Sequence, residues 1–318
     1  LSASSGICAR GADATIFGSA RNAPRLTPPL LDSPSPHTHP VNFDDYCQQK
    51  AAPPGSSTYY ALRQARAASQ PLLTALFALR REFEETVKET SDPAVGRTKF
   101  AWWQKEIAAL AAGKPSHPVS EALAAYLPDP QAEYPALQEL LTGFEMDLDQ
   151  ARYLDYANLR RYVRGVGGNF ASLVSRAAAT GSASDAVQTS EWAAPLGEAL
   201  MLAQFVAETG NDARHGRIYV PIDEMQRYNV TAADLINRKY TDAFSELMRF
   251  QTHRARAAVQ TALAEVPNGA RRAQRTLLAL AALALALLDE IERDGYHVLH
   301  QRIALTPIRK LWIAWRAK

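Results

Sequence analysis

Cysteine is nearly absent from this chain, whose 318 residues include only Cys8 and Cys47. Two thiols, one of them in a stretch of biased composition, make neither a metal framework nor a disulfide framework, so a reducing compartment is the default. An excess of charge of one sign is also missing. The formal net charge is +2, which excludes the basic footprint of a nucleic-acid binder. Long apolar runs are lacking as well. The richest is Leu277 to Leu288, bracketed by Arg275 and Asp289, and it falls well short of the roughly 20 residues that a spanning helix needs. It reads instead as a helix buried on all sides. No basic stretch leads into an apolar core near the first residues, so no signal peptide is expected. No GxGxxG turn is present, hence no NADPH signature.

What is present divides at about Val41. Residues 1–40 include Leu26-Thr-Pro-Pro-Leu-Leu-Asp-Ser-Pro-Ser-Pro-His-Thr-His-Pro40. Such a stretch buries too little apolar surface to offset its ordering entropy, and a disordered tail is expected. The sequence begins with Leu1 rather than Met, and Val41 is an alternative start; the two readings stand level. Beyond Val41, Ala, Leu, Arg, Gln and Glu dominate, all good helix formers. Apolar positions recur at spacings of three and four, as at Leu72, Ala75, Leu76 and Leu79. Pro and Gly clusters mark the breaks, no alternating run reads as a strand, and one domain over residues 41–318 is expected.

Four segments have chemical potential. In Arg81-Glu-Phe-Glu-Glu-Thr-Val-Lys-Glu89, Glu84 and Lys88 share a helix face, which is either a solvated ionic face or a platform for a hard cation. Glu208 and Asp212 stand four apart in Gln204-Phe-Val-Ala-Glu-Thr-Gly-Asn-Asp212. Two acidic helices facing each other would hold magnesium on a diphosphate and neutralise its charge as it leaves. Arg214 and Arg217 then flank a glycine ahead of Tyr219, suited to bidentate phosphate recognition or to an ordinary helix C-terminus. Finally, Asp149 and Tyr153 are four apart. Tyr162 leads a run containing Gly165, Gly167 and Gly168 that would let a substrate chain approach the backbone; a packed tyrosine at a helix crossing is the plainer alternative.

The order of these segments resembles the squalene/phytoene synthase family. So do Tyr46-Cys-Gln-Gln-Lys50, Gly55-Ser-Ser-Thr-Tyr-Tyr60, Ala101-Trp-Trp-Gln-Lys-Glu-Ile107, Pro115-Ser-His-Pro118, Gly143-Phe-Glu-Met-Asp-Leu148 and Gly210-Asn-Asp-Ala-Arg-His-Gly-Arg-Ile-Tyr-Val-Pro221. The stretch from Leu288 to Trp315 is similar to the hopanoid-pathway presqualene diphosphate synthase branch. The resemblance implies an all-α, isoprenoid synthase-type helical bundle around a central cavity. It implies head-to-head condensation of isoprenoid diphosphates, farnesyl diphosphate giving presqualene diphosphate or squalene, or a phytoene-type product. It assigns metal ligands to Glu84, Glu85, Glu208 and Asp212, diphosphate contacts to Arg81, Arg214, Arg217 and Tyr219, and a catalytic role as base or cation stabiliser to Tyr162. Mg2+ is the implied cofactor and isoprenoid diphosphates the implied partners. A cytoplasmic location is implied, with peripheral association to the inner membrane left open.

The metal motifs depart from the family. Where Asp-Asp-x-x-Asp is usual, this chain has Glu84, Glu85 and Lys88, putting an ammonium where a magnesium ligand belongs. Where Asn-x-x-Arg-Asp-x-x-x-Asp is usual, it has Gln204, Ala207, Glu208 and Asp212. A basic pair aligns with Gln70-Pro71. Tyr162, Arg214, Arg217 and Tyr219 are kept. Two readings follow: an active prenyltransferase, or a non-catalytic relative that keeps the scaffold for lipid binding or assembly.

Overall fold

Prolines and polar caps set where the helices begin. Asp92, His117, Asp129 and Thr306 each accept a backbone N–H from the first turn that follows, and Pro93, Pro118, Pro130 and Pro307 occupy the adjoining first helical position. There the missing N–H has no intrahelical partner to lose, and the fixed φ is already helical. The computed structural model describes residues 42–90, 92–179 and 191–317. The expected tail over residues 1–40 lies outside these, as does Cys8.

The described chain forms α1 (Phe43–Ala51), α2 (Ser57–Leu62), α3 (Gln70–Glu89), α4 (Pro93–Ala111), α5 (Pro118–Tyr126), α6 (Pro130–Asp149) and α7 (Tyr156–Val163). A π-helical turn, Arg164–Gly168, joins α7 to α8 (Asn169–Ala179). There follow α9 (Ala193–Arg214), α10 (Ile222–Arg227), α11 (Ala232–Ile236), α12 (Asp242–Ala264), α13 (Asn268–Arg271), α14 (Arg275–Arg293) and α15 (Pro307–Arg316). Among the described residues there is no strand, only one isolated parallel bridge between Arg152 and Ile218. The fold is an all-helical bundle, and α9 packs against α8, α12, α14 and the π turn.

The apolar positions read at helical spacing on α3, Leu72, Ala75, Leu76 and Leu79, are all buried in one core that reaches from α1 to Leu299. The Leu277–Leu288 stretch of α14 differs in part from its expectation. Leu277, Leu278, Ala279, Ala281, Leu283 and Leu288 are buried, but Leu285, Ala286 and Leu287 are half-buried, with α2 and α15 packed on that helix. Asp149 and Tyr153 also differ: α6 ends at Asp149, so the two do not share a helix face, and Asp149 instead pairs with Arg97.

The glycines after Tyr162 serve helix packing rather than a ligand. A Cβ on Gly167 would lie 2.5 Å from the carbonyl oxygen of Gly197, and one on Gly197 would lie 2.0 Å from the carbonyl oxygen of Gly167. The π turn and α9 therefore touch backbone to backbone, an approach open only to glycine. Gly210 is used in the same way: a Cβ there would meet the Val298 carbonyl oxygen at 2.4 Å and the Leu299 Cα at 2.5 Å. These two crossings fix α9 against Tyr162 on one side and against the segment after α14 on the other.

Candidate functional site

The site lies where α3 meets α9. Arg80, Glu84 and Lys88 recur every four residues on α3 and line one small space together with Asp147, Tyr162, Gln204, Phe205, Asp212 and Tyr219. A second space beside it is lined by Phe205, Thr209, Asp212, Tyr219 and Arg254. Each holds about 20 Å³ of water-accessible room.

Lys88 is the central charge. Its Nζ lies 3.0 Å from Glu84 Oε1 and 3.7 Å from Asp212 Oδ1, tying the two facing helices together. Gln204 Nε2 donates to Glu84 Oε1 at 3.0 Å, and Arg80 Nη2 donates to Gln204 Oε1 at 3.1 Å. Burial works against the Glu84 carboxylate, but Lys88, then Arg80 and Arg81, outweigh it and hold its pKa down at about 2. Burial likewise works against the Lys88 ammonium, and Glu84 and Asp212 outweigh it, so its pKa is raised and the charge is kept. Asp212 goes the other way. Burial lifts it to about 7, Lys88 only partly opposes this, and Glu208 and Glu84 add to the rise. Glu208 is met by Arg302, whose Nη2 lies 2.8 Å from its Oε1.

Beside this charged wall stands an aromatic stack. Phe205 and Tyr219 are parallel at 4.0 Å, Tyr162 stacks on Tyr219 at 5.8 Å, and Tyr153 stacks on Tyr162 at 5.6 Å. The loop after α6 and the loop after α9 bring these rings together, since Ala151 accepts from the Ile218 N–H and Tyr153 from the Ile222 N–H. Asp147 lies beneath the stack. It accepts from Tyr219 Oη at 2.6 Å and Tyr153 Oη at 3.4 Å, and lies 3.2 Å from Arg217 Nη1. Burial raises the Asp147 pKa against Arg217 and the surrounding tyrosine hydroxyls. Burial, then Asp147, push Tyr162 and Tyr219 well above their usual range, so both remain phenols. Tyr162 thus presents an aromatic face and a protonated hydroxyl to the space.

The structure gathers Glu84, Asp212, Tyr162 and Tyr219 around one space and puts Glu208 close enough to raise the Asp212 pKa. Other candidates fall elsewhere. Glu85 pairs with Lys50 of α1 at 2.6 Å and with Arg81 at 2.8 Å, on a different face of α3. Arg217 bonds the backbone carbonyls of Asp147 and Val87, a brace between α6 and α3. Arg214 is exposed and donates to the Leu299 carbonyl at 3.2 Å. Three contributors were not singled out beforehand. Arg80 could have been found one helical turn before Glu84. Asp147 lay within a quoted motif, but its role depends on loop pairing. Arg302 carried no local signal.

A family model described as squalene/phytoene synthase matches residues 51–309. The chain belongs to the squalene/phytoene synthase family. It is 29% identical to a phytoene synthase of Arthrospira platensis over 89% of this chain and 95% of that one. It is also 29% identical to a 15-cis-phytoene synthase of Synechococcus elongatus, over 83% and 89% respectively. A ligand-bound dehydrosqualene synthase shares the fold with a TM-score of 0.71 at 18% identity, covering 86% of this chain and 95% of that one. Squalene synthase HpnC from Alicyclobacillus acidocaldarius does so with a TM-score of 0.63 at 20% identity, covering 80% and 94%. Members of this family condense prenyl diphosphates head to head.

The family's acidic motifs imply magnesium, and the donor set here does not fit it as arranged. Among the described residues no group of three or more His, Cys, Asp or Glu side chains gathers in a way that could hold a metal ion. Glu84 and Asp212 are ion-paired to Lys88, and Glu208 to Arg302. A divalent ion would have to displace both cations. Next to Lys88 it would meet like charge at short range, a repulsion of roughly 8 kcal/mol at 4 Å and an effective dielectric of 20.

Proposed function

We propose that this protein condenses isoprenoid diphosphates head to head at the space between α3 and α9, with farnesyl diphosphate as the first substrate to test. The observation that carries the reading is the facing of Glu84 and Asp212 across one space that Tyr162 and Tyr219 also line. Charge and aromatic surface adjoin there, as ionisation of an allylic diphosphate requires. The half-buried cations Lys88 and Arg80 would oppose the charge developing on a leaving diphosphate. The parallel faces of Phe205, Tyr219 and Tyr162 would stabilise an allylic cation. Mg2+ remains the family's expectation, and no step is derived through it. Isoprenoid diphosphates are the partners, and we read the protein as cytoplasmic and peripheral to a lipid membrane, because prenyl chains partition into lipid. Among the described residues no helix is long and apolar enough to cross a membrane.

One observation favours a second reading, prenyl-lipid binding or assembly without turnover: Lys88 already sits between the two facing carboxylates as their shared counter-ion. Incubating the purified protein with farnesyl diphosphate, with and without magnesium, and following pyrophosphate release decides between them. Pyrophosphate with a matching C30 product supports the transferase. Farnesyl diphosphate bound and recovered intact under both conditions supports the second reading.

A further inference from the structure

The segment after α14 leads into a helix whose outer face is uncovered among the described residues. On α15, Ile308, Leu311, Trp312 and Trp315 are 80%, 48%, 54% and 65% exposed. They recur at spacings of three, one and three, so they form a single stripe along one helix face. The opposite face, through Ala314, packs on Ala61, Ala279, Leu283 and Leu305. Half of the large exposed hydrophobic side chains among the described residues, four of eight, therefore sit on this ten-residue helix.

The sequence around the stripe is basic, although Arg302 and Arg309 are paired with Glu208 and Glu290, and Lys310 is half-buried and donates to the Gly55 carbonyl, which leaves Arg316 at the stripe's edge. From Tyr296 to Lys318 there is no Asp or Glu, while Arg302, Arg309, Lys310, Arg316 and Lys318 are all basic. In a chain of net charge +2 this is a local concentration. The nearest acid on α14 with a bond to α15, Glu290, is already paired with Arg309 and Arg293. Arg316 lies over the Trp312 ring at 4.5 Å, keeping positive charge at the edge of the stripe. Tryptophan with aliphatic neighbours on one face and basic residues at its border is the composition of a helix that lies in a lipid interface. A second copy of the chain is a poorer occupant. A ten-residue helix is about 15 Å long and offers well under the roughly 800 Å² per partner of a stable interface.

We infer that α15 docks the protein on an anionic lipid surface, with Ile308, Leu311, Trp312 and Trp315 entering the headgroup boundary and Arg316, at the edge of the stripe, meeting lipid phosphate. This rests on the peripheral-membrane reading above and names the surface that does it. The same segment reaches the candidate site: Arg302, four residues before Thr306 caps α15, holds Glu208. Docking through α15 brings the lipid surface next to the charged wall of the site.

The test is flotation of the full chain with vesicles of phosphatidylcholine alone or with equal parts phosphatidylglycerol. The wild type is expected to float with the anionic vesicles and to be released by salt. Trp312→Ser with Trp315→Ser should weaken binding at least about tenfold, since each buried aromatic supplies over 1 kcal/mol. Arg316→Gln should weaken it about fivefold on anionic vesicles only. All these side chains are exposed, so an unchanged melting temperature is the folding control, and quenching of wild-type tryptophan fluorescence by brominated lipid is an independent readout. Vesicle binding that the tryptophan variant retains in full overturns the assignment to α15 while leaving peripheral association standing. No binding by the wild type at low salt overturns both. A dimer seen by sedimentation, abolished by the same variant without any vesicle binding, also overturns it and makes the stripe an interface between copies.

Discussion

Lys88 decides more about this site than any other residue, because among the described residues it alone reaches both facing carboxylates. Replacing it with aspartate, together with Glu84→Asp and Glu208→Asp, removes the internal counter-ion and restores carboxylates at family spacing. The triple variant should therefore bind inorganic pyrophosphate more tightly than the wild type when magnesium is present, read by titration calorimetry. Equal, tight, magnesium-dependent binding by the wild type would show that Lys88 swings clear of the metal. Asp212 gives a pH signature. Its folded pKa of about 7 lies above the unfolded value, so the folded state binds more protons between about pH 4 and 7, and this group's contribution to stability falls as pH rises through that window. Asp212→Asn abolishes the dependence. Relative to the wild type it should gain stability between pH 5 and pH 8, on the order of 2–4 kcal/mol at most. Urea unfolding of both proteins at the two pH values checks this, and an equal gap at both would sink it. Glu84 has the opposite sign: its depressed pKa contributes stability above about pH 4.5 that is lost as pH falls toward 2.

At the level of elements, the helices were legible because their signals are local. The Pro-plus-cap starts of α4, α5, α6 and α15 and the apolar spacing of α3 can be read along the chain without knowing the fold. The acidic spacing on α3 and α9 was legible for the same reason. Arg302, by contrast, meets Glu208 only because the segment after α14 crosses α9 at Gly210, a contact between residues far apart in sequence. Asp147 becomes a hub only when the loops around Ala151 and Ile218 pair. The glycines after Tyr162 were visible, but their partner, Gly197, was not, and so they read as room for a ligand. Their packing role makes a prediction. Gly197→Ala puts a methyl against the Gly167 carbonyl at 2.0 Å, with Ala171 Cβ at 2.5 Å. Helix propensity favours alanine by about 1 kcal/mol, yet backbone cannot yield as a flexible side chain does. The overpacking should win, with a net loss of about 1–3 kcal/mol and a lower urea midpoint. A more stable variant would mean that the two helices part easily.

At the scale of the molecule, the room beside the candidate site is small. The two spaces by the site hold about 20 Å³ each, whereas pockets for ligands of prenyl size span roughly 300–1,000 Å³. A prenyl chain can enter only if side chains move, and the stack of Phe205 on Tyr219 and Tyr162 is what stands in the way. Those rings also hold α7, α9 and the loop after α9 together, so stability and capacity are opposed in the same side chains. Phe205 is half-buried, so Phe205→Ala should cost less than the roughly 3–5 kcal/mol of a fully buried phenylalanine. The cavity left behind is apolar and joins the existing spaces. Farnesol, which has the chain without the diphosphate, should then raise the melting temperature of Phe205→Ala more than that of the wild type, because a ligand that binds only the folded state stabilises it in proportion to its affinity. Thermal melts of both proteins over a farnesol series give the comparison. A larger shift in the variant means that the aromatic stack limits entry. Equal shifts mean that the chain binds elsewhere and the stack is core alone. A larger shift in the wild type means that Phe205 is itself a wall of the prenyl site, which opens by moving as a unit.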